Sequence, residues 1–404
     1  MKETVIIPEG IRKLDNDSIE EFDYQDAECI VLPSTLERID SDAFEECEDI
    51  EEIDFSKVHK LKVISSYLLA SLKSLKEVVI PEGVERIESE AFNDCTNLER
   101  VELPSTLEEI DSSAFMDCES LEEIDFSKVH KLKVIPSDLF ASLKSLKEIV
   151  IPEGVEMIES DVFNDCTHIE RVEFPLTLEK VDACFEGCKR LEEIDMSKVS
   201  RLKELPDYFL DGSKATTFVI PQNVKKVGSP LANDCPLDEL YIPESVTEIG
   251  YITEEANNET DVYLYSGKLK DVEGLCSDTR TLYVLPQHYD RYLRLIEEID
   301  DDSRPEIREM PSYKVNFYSR IDQTESNSQT DNDKTAFEEK NTEQESSAAF
   351  ISKALDDLIN AAVADGELTE KKREIVLRRA KKEGTDLDEV EMLLDARLYE
   401  QKNK

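Results

Sequence analysis

The sequence predicts a solenoid of short parallel strands, and three observations predict it. The first is a duplication: Ile53-Asp-Phe-Ser-Lys-Val-His-Lys-Leu-Lys-Val-Ile64 recurs unchanged at 124–135, and Ala70-Ser-Leu-Lys-Ser-Leu-Lys-Glu77 recurs at 141–148, both at an offset of 71 residues. The second is a shorter unit inside it. Aligning Leu75-Lys-Glu-Val-Val-Ile-Pro81, Leu98-Glu-Arg-Val-Glu-Leu-Pro104 and Leu121-Glu-Glu-Ile-Asp-Phe-Ser127 places apolar residues at Val78, Val101 and Ile124. The same register continues through Val5, Ile30, Ile53, Ile149, Val172, Ile194, Phe218, Leu240, Val262 and Tyr283, in steps of 21 to 25 residues. The third is the pattern L-x-x-φ-x-φ in each unit, a short strand whose two apolar side chains point the same way. A unit this short cannot bury its apolar edge alone, so units must stack into one lengthwise core. Thirteen strands about 4.8 Å apart make an arc roughly 60 Å long.

Within a unit the strand stops at Pro followed by Gly or Ser, as in Pro81-Glu82-Gly83 and Pro104-Ser105-Thr106, because Pro cannot donate to a ladder. A second apolar pair follows (Val84, Ile87), then an Ala-Phe edge (Ala91-Phe92, Ala114-Phe115), then Cys and Leu. The resulting pattern, φ-x-φ-P-x-x-φ-x-x-I-x-x-x-A-F-x-x-C-x-x-L, is met at residues 80–98 and 103–121. It resembles the BspA-like, or Treponema-type, bacterial leucine-rich repeats over about residues 1–300. The resemblance implies a leucine-rich repeat solenoid, with a strand plus short helix or turn per repeat and a parallel sheet on the concave face. It also implies binding of other proteins or host surfaces.

Taken in order, residues 1–52 are two rungs with a divergent start. The first strand has no visible polar cap, which leaves two readings open: an edge that pairs with another chain, or a protein that begins upstream of Met1. Repeats are most regular at 53–200 and erode at 201–286, where Phe218-Val-Ile-Pro221, Leu240-Tyr-Ile-Pro243 and Tyr283-Val-Leu-Pro286 keep the strand but lose the Ala-Phe edge. The solenoid is therefore expected at 1–286. A cap is expected at 287–318, with a helix over 287–300 carrying Tyr289, Tyr292, Leu293 and Ile296 on one side and a further strand at 313–318. Residues 319–346 are polar and acidic, too poor in apolar side chains to offset their ordering entropy, and read as a tether.

Periodicity then becomes helical. Leu355, Leu358, Ile359 and Ala362 fall on one face, Asp365-Gly366 ends that helix, Thr369 caps a second, and Asp386 with Glu389 opens a third. A small all-α domain of three helices is expected at 347–404. Its turn, Ala361-Ala-Val-Ala-Asp365-Gly366-Glu367-Leu368-Thr369-Glu370, resembles the tellurite-resistance TerB-like family; a plain helix-turn-helix with solvated acids and no metal is expected there, and the resemblance adds, as the alternative, an acidic metal site using Asp365 and Glu367. An EF-hand is excluded, since Val363 and Ala361 stand where oxygen ligands are needed.

The net charge is −46, with no Trp. Nucleic acid and anionic membranes are excluded as partners by repulsion. No apolar run is long enough to span a bilayer, and residues 1–8 show no apolar leader, so a bacterial cytoplasm is the expected compartment. Of nine cysteines, Cys47, Cys95, Cys118, Cys166, Cys188 and Cys235 share one place in the repeat and read as a column of small buried thiols. Paired C-x-x-C spacing for zinc is absent, and disulfides between neighbours such as Cys95 and Cys118 require an oxidising compartment. His59 and His130 are one repeat position duplicated. No nucleophile elbow, phosphate loop or zinc-protease motif occurs, so neither an enzyme nor a cofactor is expected. The candidate site is a surface: Asp54, Glu102, Asp125, Glu173 and Asp195 face out on the sheet, with Val79 and Val150 between them, leading to Tyr241 and Tyr263 as adjacent exposed aromatics. Stacked carboxylates cost stability unless something cationic covers them. The expected function is a non-enzymatic scaffold binding a protein, of basic chemistry, on the concave face. A surface adhesin and a metal-linked stress-response protein acting through the helical module are the alternatives.

Overall fold

The computed structural model describes residues 4–19, 27–44, 49–253, 260–276, 279–299 and 304–312, with isolated residues between and beyond them. The chain divides into two compact units, Met1–Met310 and Pro311–Lys404. The tether expected at 319–346 lies outside the described residues, as does the module expected at 347–404 with Asp365 and Glu367. Only Arg373, Val376, Leu377, Val390 and Leu394 are described there, all helical, with Val376, Val390 and Leu394 buried.

The first unit is a solenoid of parallel rungs held by three rows of hydrogen bonds. Short strands such as Thr4–Ile6, Cys29–Val31, Glu52–Asp54, Glu77–Val79 and Arg100–Glu102 make the first ladder, and every one of the thirteen positions marked from sequence lies on it. The register is as expected, with Val5 against Ile30, Ile30 against Ile53, Val78 against Val101 and Val101 against Ile124. A second ladder of two-residue strands forms from the next apolar pair, for example Val63–Ile64, Arg86–Ile87 and Glu109–Ile110. The third row joins the Ala-Phe edges: Phe92 N donates to Ala114 O at 2.9 Å, Phe115 N to Leu139 O at 3.2 Å and Phe140 N to Val162 O at 3.0 Å.

Of the short helix or turn expected in each repeat, it is the turn that forms beside this third row. Alternate amides, those of Glu90, Phe92 and Asp94, donate to the neighbouring rung, so they are not available for bonds within a helix. Paired left-handed residues shape the turn, at Glu90 and Asp94, Ser113 and Asp117, Asp161 and Asp165. Asp tolerates that conformation better than most side chains because its carboxylate can bond locally. The α-helices among the described residues of the first unit are few: Asn16–Ile19, Glu273–Cys276 and Tyr289–Glu297.

Three kinds of rung alternate with the 71-residue period. Gly rungs carry Ile-Pro-Glu-Gly (7–10, 80–83, 151–154), Thr rungs Pro-x-Thr (33–35, 104–106, 175–177), and Asp rungs Ile-Asp-Phe/Met-Ser (53–56, 124–127, 194–197). Thr106 Oγ1 accepts the Gly83 amide at 3.0 Å and donates to Val84 O at 2.6 Å, and Thr35 and Thr177 repeat this on Gly10 and Gly154. Gly83 has φ +109°, and a Cβ on it would stand 3.1 Å from His59 O of the preceding Asp rung. Both facts demand glycine.

The sheet is not the single continuous one expected. The first ladder comes in blocks of six, three and five strands, and the blocks part where an Asp rung meets the rung after it: between Glu123–Asp125 and Glu148–Val150, and between Glu193–Asp195 and Thr217–Val219, the latter on a rung that carries Ile-Pro-Gln-Asn at 220–223. At the earlier such junction only Glu52 with Glu77 remains paired. The first two of these steps are 25 residues long, and the longer Ser-Lys-Val-His-Lys loop spreads the strands. The second ladder breaks elsewhere, between Thr and Asp rungs, as at Glu109–Ile110 and Val134–Ile135. The third row crosses both kinds of junction, with Leu69 N on Ala91 O at 2.9 Å and Phe115 N on Leu139 O. Breaks are thus staggered, and no junction depends on one ladder.

The core is a stack. Phe92, Phe115, Phe140, Phe163 and Phe185 form a spine with successive centroids 4.9, 6.5, 5.7 and 5.7 Å apart. All nine cysteines are buried, and none is joined in a disulfide. Within the repeated place, Cys95, Cys118, Cys166 and Cys188 thiols contact the carbonyls of Leu69, Phe92, Phe140 and Phe163 at 2.9 to 3.2 Å. Burial pushes Cys95 and Cys166 up to about 12.

Toward the end the register departs from expectation. Leu282, not Tyr283, pairs with Val262, because an irregularity at Thr260/Asp261 advances the strand by one residue. The cap begins as a 3₁₀ turn, Pro286–His288, before the helix Tyr289–Glu297, which buries Tyr292 and Ile296. The last strand is Glu306–Glu309, paired with Thr281–Val284. Of the strand expected at 313–318 the described residues show none, Phe317 and Tyr318 being helical. Four residues of low apolar content joined the sheet because its edge amides required a partner.

Replacing Phe140 by Ala should destabilise the repeat unit by about 3–5 kcal/mol, the cost of emptying a packed aromatic site, read as a fall in the urea midpoint. Thiol titration should find the nine cysteines protected in the native protein and all of them reactive after denaturation, since each is buried.

Candidate functional site

Along the first ladder the side chain between the two inward ones lies on the open side. Asp54, Glu102, Asp125, Glu173 and Asp195 are there and half-buried. Val79 and Val150, from the Gly rungs, are 49% and 54% exposed. The register sets Glu102 beside Asp125 and Glu173 beside Asp195. These carboxylates abut, as the repeat spacing requires.

The cation that the stack needs is partly supplied from within. Arg100 reaches Glu102 at 2.9 Å, Glu77 at 3.4 Å and Glu123 at 3.6 Å. Arg171 reaches Glu193 at 2.9 Å, Glu173 at 3.1 Å and Asp195 at 3.3 Å. Lys198 also pairs with Glu173. Arg100 therefore links three rungs and Arg171 two, and the Glu193 contact raises the Arg171 pKa before its other carboxylates add to it. Sequence reasoning missed these clamps, although Arg-Val-Glu recurs at 100–102 and 171–173. A repeated basic residue two positions before a repeated acid was the available signal.

The Asp rungs use their acids differently. Asp54, Asp125 and Asp195 accept the amides of Ser56, Ser127 and Ser197 at 2.8, 2.8 and 3.0 Å, closing a side-chain turn that ends the strand. Asp54 and Asp125 are held below the ordinary carboxylate range by the Ser hydroxyl first and the Ser amide second.

Tyr241 and Tyr263 are adjacent but not exposed, at 4% and 5%. Their rings stack 4.7 Å apart, and Tyr283 continues the stack 4.8 Å further on. Both hydroxyls donate to Glu239, at 2.7 and 3.2 Å, and burial pushes the Tyr241 pKa up. Strand alternation tells which side a residue faces and not what covers that side. The pair is an internal ladder, so the expected exposed aromatic patch is absent from these positions.

Where the Asp rung of 53–56 meets the Gly rung of 80–83, the open face sinks into a groove of about 790 Å³. Its lining includes Asp54, His59, Val79, Glu82, Glu102 and Lys128. Glu82 accepts the amide and hydroxyl of Ser105. The groove offers an apolar floor with carboxylate walls, a setting for a cation on an aliphatic stem. Among the described residues no group of three His, Cys, Asp or Glu is placed to hold a metal, and no helix is long and apolar enough to cross a membrane.

Comparison with known proteins agrees with the repeat geometry. The BspA type leucine rich repeat region matches residues 16–143 and 133–253 in six copies, which is more than half of the chain. A leucine-rich-repeat protein of T. pallidum is similar at 31% identity over 44% of this chain and 71% of that one, with a TM-score of 0.34. A leucine-rich repeat protein from Bacteroides ovatus is similar at 20% identity, covering 76% and 92%, TM-score 0.38. The pneumococcal vaccine antigen PcpA is similar at 17% identity, covering 77% and 89%, TM-score 0.34. No curated protein matches. The fold is that of a leucine-rich-repeat protein. More narrowly, the chain belongs to the BspA-type leucine-rich-repeat family, a group generally of interaction or surface-adhesin type.

The depressed Asp54 and Asp125 stabilise the folded state above their ordinary value of 3.8, and that contribution is lost as pH falls through their lower folded values. The parent should therefore lose more stability between about pH 5 and pH 2 than the variant carrying Asp54→Asn and Asp125→Asn. Urea midpoints across that range measure the difference, and parallel curves would contradict the charge assignment.

Proposed function

We propose that this chain is a non-enzymatic scaffold that binds a protein partner on the open, concave face of the repeat sheet. The observation that carries this reading is Val79 and Val150, about half exposed on the stretch of sheet from Asp54 to Asp195, where the other outward residues are carboxylates. An exposed β-branched side chain in the middle of a charged face gains most when a partner covers it. The partner is basic: a chain of net charge −46 repels anions, and a cationic surface can share the carboxylates that Arg100 and Arg171 now bridge. We place this scaffold in a bacterial cytoplasm, where nine buried thiols remain reduced. In this reading the segment resembling the TerB-like family docks elsewhere, joined by residues 319–346. Family membership favours a second reading, a surface adhesin using the same face.

Charge reversal at Glu102, Asp125 and Glu173 (each to Lys) should release the partner recovered by affinity capture with residues 1–404. If all captured proteins stay bound to the triple variant, the face is wrong. Protease accessibility on intact cells separates the adhesin, which would be cleaved, from the internal scaffold, which would not.

A further inference from the structure

The groove at the first junction of Asp and Gly rungs is written a second time. Its six carboxylates are Glu51, Glu52, Asp54, Glu77, Glu82 and Glu102. The residues 71 positions on are Glu122, Glu123, Asp125, Glu148, Glu153 and Glu173, all acidic again. Val79 recurs as Val150, His59 as His130 and Lys76 as Lys147; Leu103 becomes Phe174, and Lys128 has its counterpart in Lys198. At this second junction the first ladder is unpaired, Val150 is 54% exposed and Ile124 is only partly buried. The same opening therefore lies beside the same side chains.

The third junction is a natural control. There the register brings Thr217 in place of Glu77, Gln222 in place of Glu82 and Tyr241 in place of Glu102, while Val219 keeps the apolar place. Its ladder is also open. The strands part at that junction as they do at the second, but its carboxylate wall is halved. Opening alone is a property of the Asp rung, whereas the acidic wall belongs to two junctions only.

We infer that the two acidic junctions are equivalent sites, and that the partner is a basic protein segment carrying two clusters, each an aliphatic residue beside Arg or Lys, that enter both at once. In each site the aliphatic side chain covers Val79 or Val150, and the cation lies between the carboxylates of the Asp, Gly and Thr rungs. Three rungs at about 4.8 Å separate the sites by about 14 Å, so one chain can span them and the second contact is intramolecular. This rests on the proposed binding face and adds its stoichiometry, spacing and chemistry.

Two synthetic peptides test it on the full chain: one with a single Leu-Arg-Arg cluster, and one with two such clusters joined by about ten Gly/Ser residues, whose mean span of about 17 Å reaches both sites. Calorimetry should find two single-cluster peptides per chain, but one two-cluster peptide bound at least tenfold more tightly. Val79→Glu alone should halve the single-cluster stoichiometry and remove the tenfold gain, and Val79→Glu with Val150→Glu should abolish binding. Val219→Glu should change neither. Because all three valines lie on the open face, circular-dichroism melts of the variants distinguish loss of binding from loss of fold. A stoichiometry of one, no gain on linking, or equal weakening by Val219→Glu overturns the two-site inference. If the peptides fail while the triple charge reversal still releases the captured partner, the binding face stands and the paired sites fall.

Discussion

The structure depends on one constraint: each rung must present its amides to the next at the same places, because no rung has a partner within itself. Twenty-three residues, the commonest step, are enough for three short hydrogen-bonded sides and one layer of inward side chains. The inward Val, Ile, Phe and Cys columns follow from that repetition. So does the left-handed turn at Asp94, Asp117 and Asp165, where the chain must reverse while still pointing alternate amides along the stack. Backbone groups buried between rungs would each cost more than the strain of one such turn.

The 71-residue period modifies this constraint in a specific way. Asp rungs carry the longer loop, and Gly83 and Gly154 make room for it by having no Cβ near the carbonyls of His59 and His130. The cost is a parted first ladder at those junctions. It is offset by the other two rows of bonds, which do not part at the same place, and by the Gly–Thr clasp at the next interface. Parting the strands leaves Ile124 and Ile194 partly exposed and opens the floor beside Val79 and Val150. The feature that weakens the sheet is the same one that opens the groove beside Val79.

The charge of the chain is managed locally rather than globally. Bridges from one rung to the next, such as Lys62 to Glu85 at 2.5 Å, Lys131 to Glu108 at 2.7 Å and Lys133 to Glu156 at 2.7 Å, connect residues 23 apart. They are exposed, and each contributes little by itself. Arg171 and Glu173 are more enclosed, and there a single guanidinium serves three carboxylates on two rungs. The chain as a whole keeps a net charge of −46.

By itself the sequence determined the rung, its length, its inward residues and the register within each block of paired strands up to the last repeats, because a period is a statement about which side chains become neighbours. It also marked Asp54, Glu102, Asp125, Glu173 and Asp195 as lying on one side, since alternation along a strand needs no knowledge of distant residues. Tertiary structure alone decided what those residues meet: Arg100 and Arg171 bridging the acids, serine amides capping the Asp rungs, and Tyr241 and Tyr263 enclosed instead of exposed. It decided as well that the sheet parts at the Asp rungs and that Glu306–Glu309 closes it. Contacts of that kind depend on how far a long side chain reaches and on which backbone edge is left unpaired, and neither is a property of any single repeat.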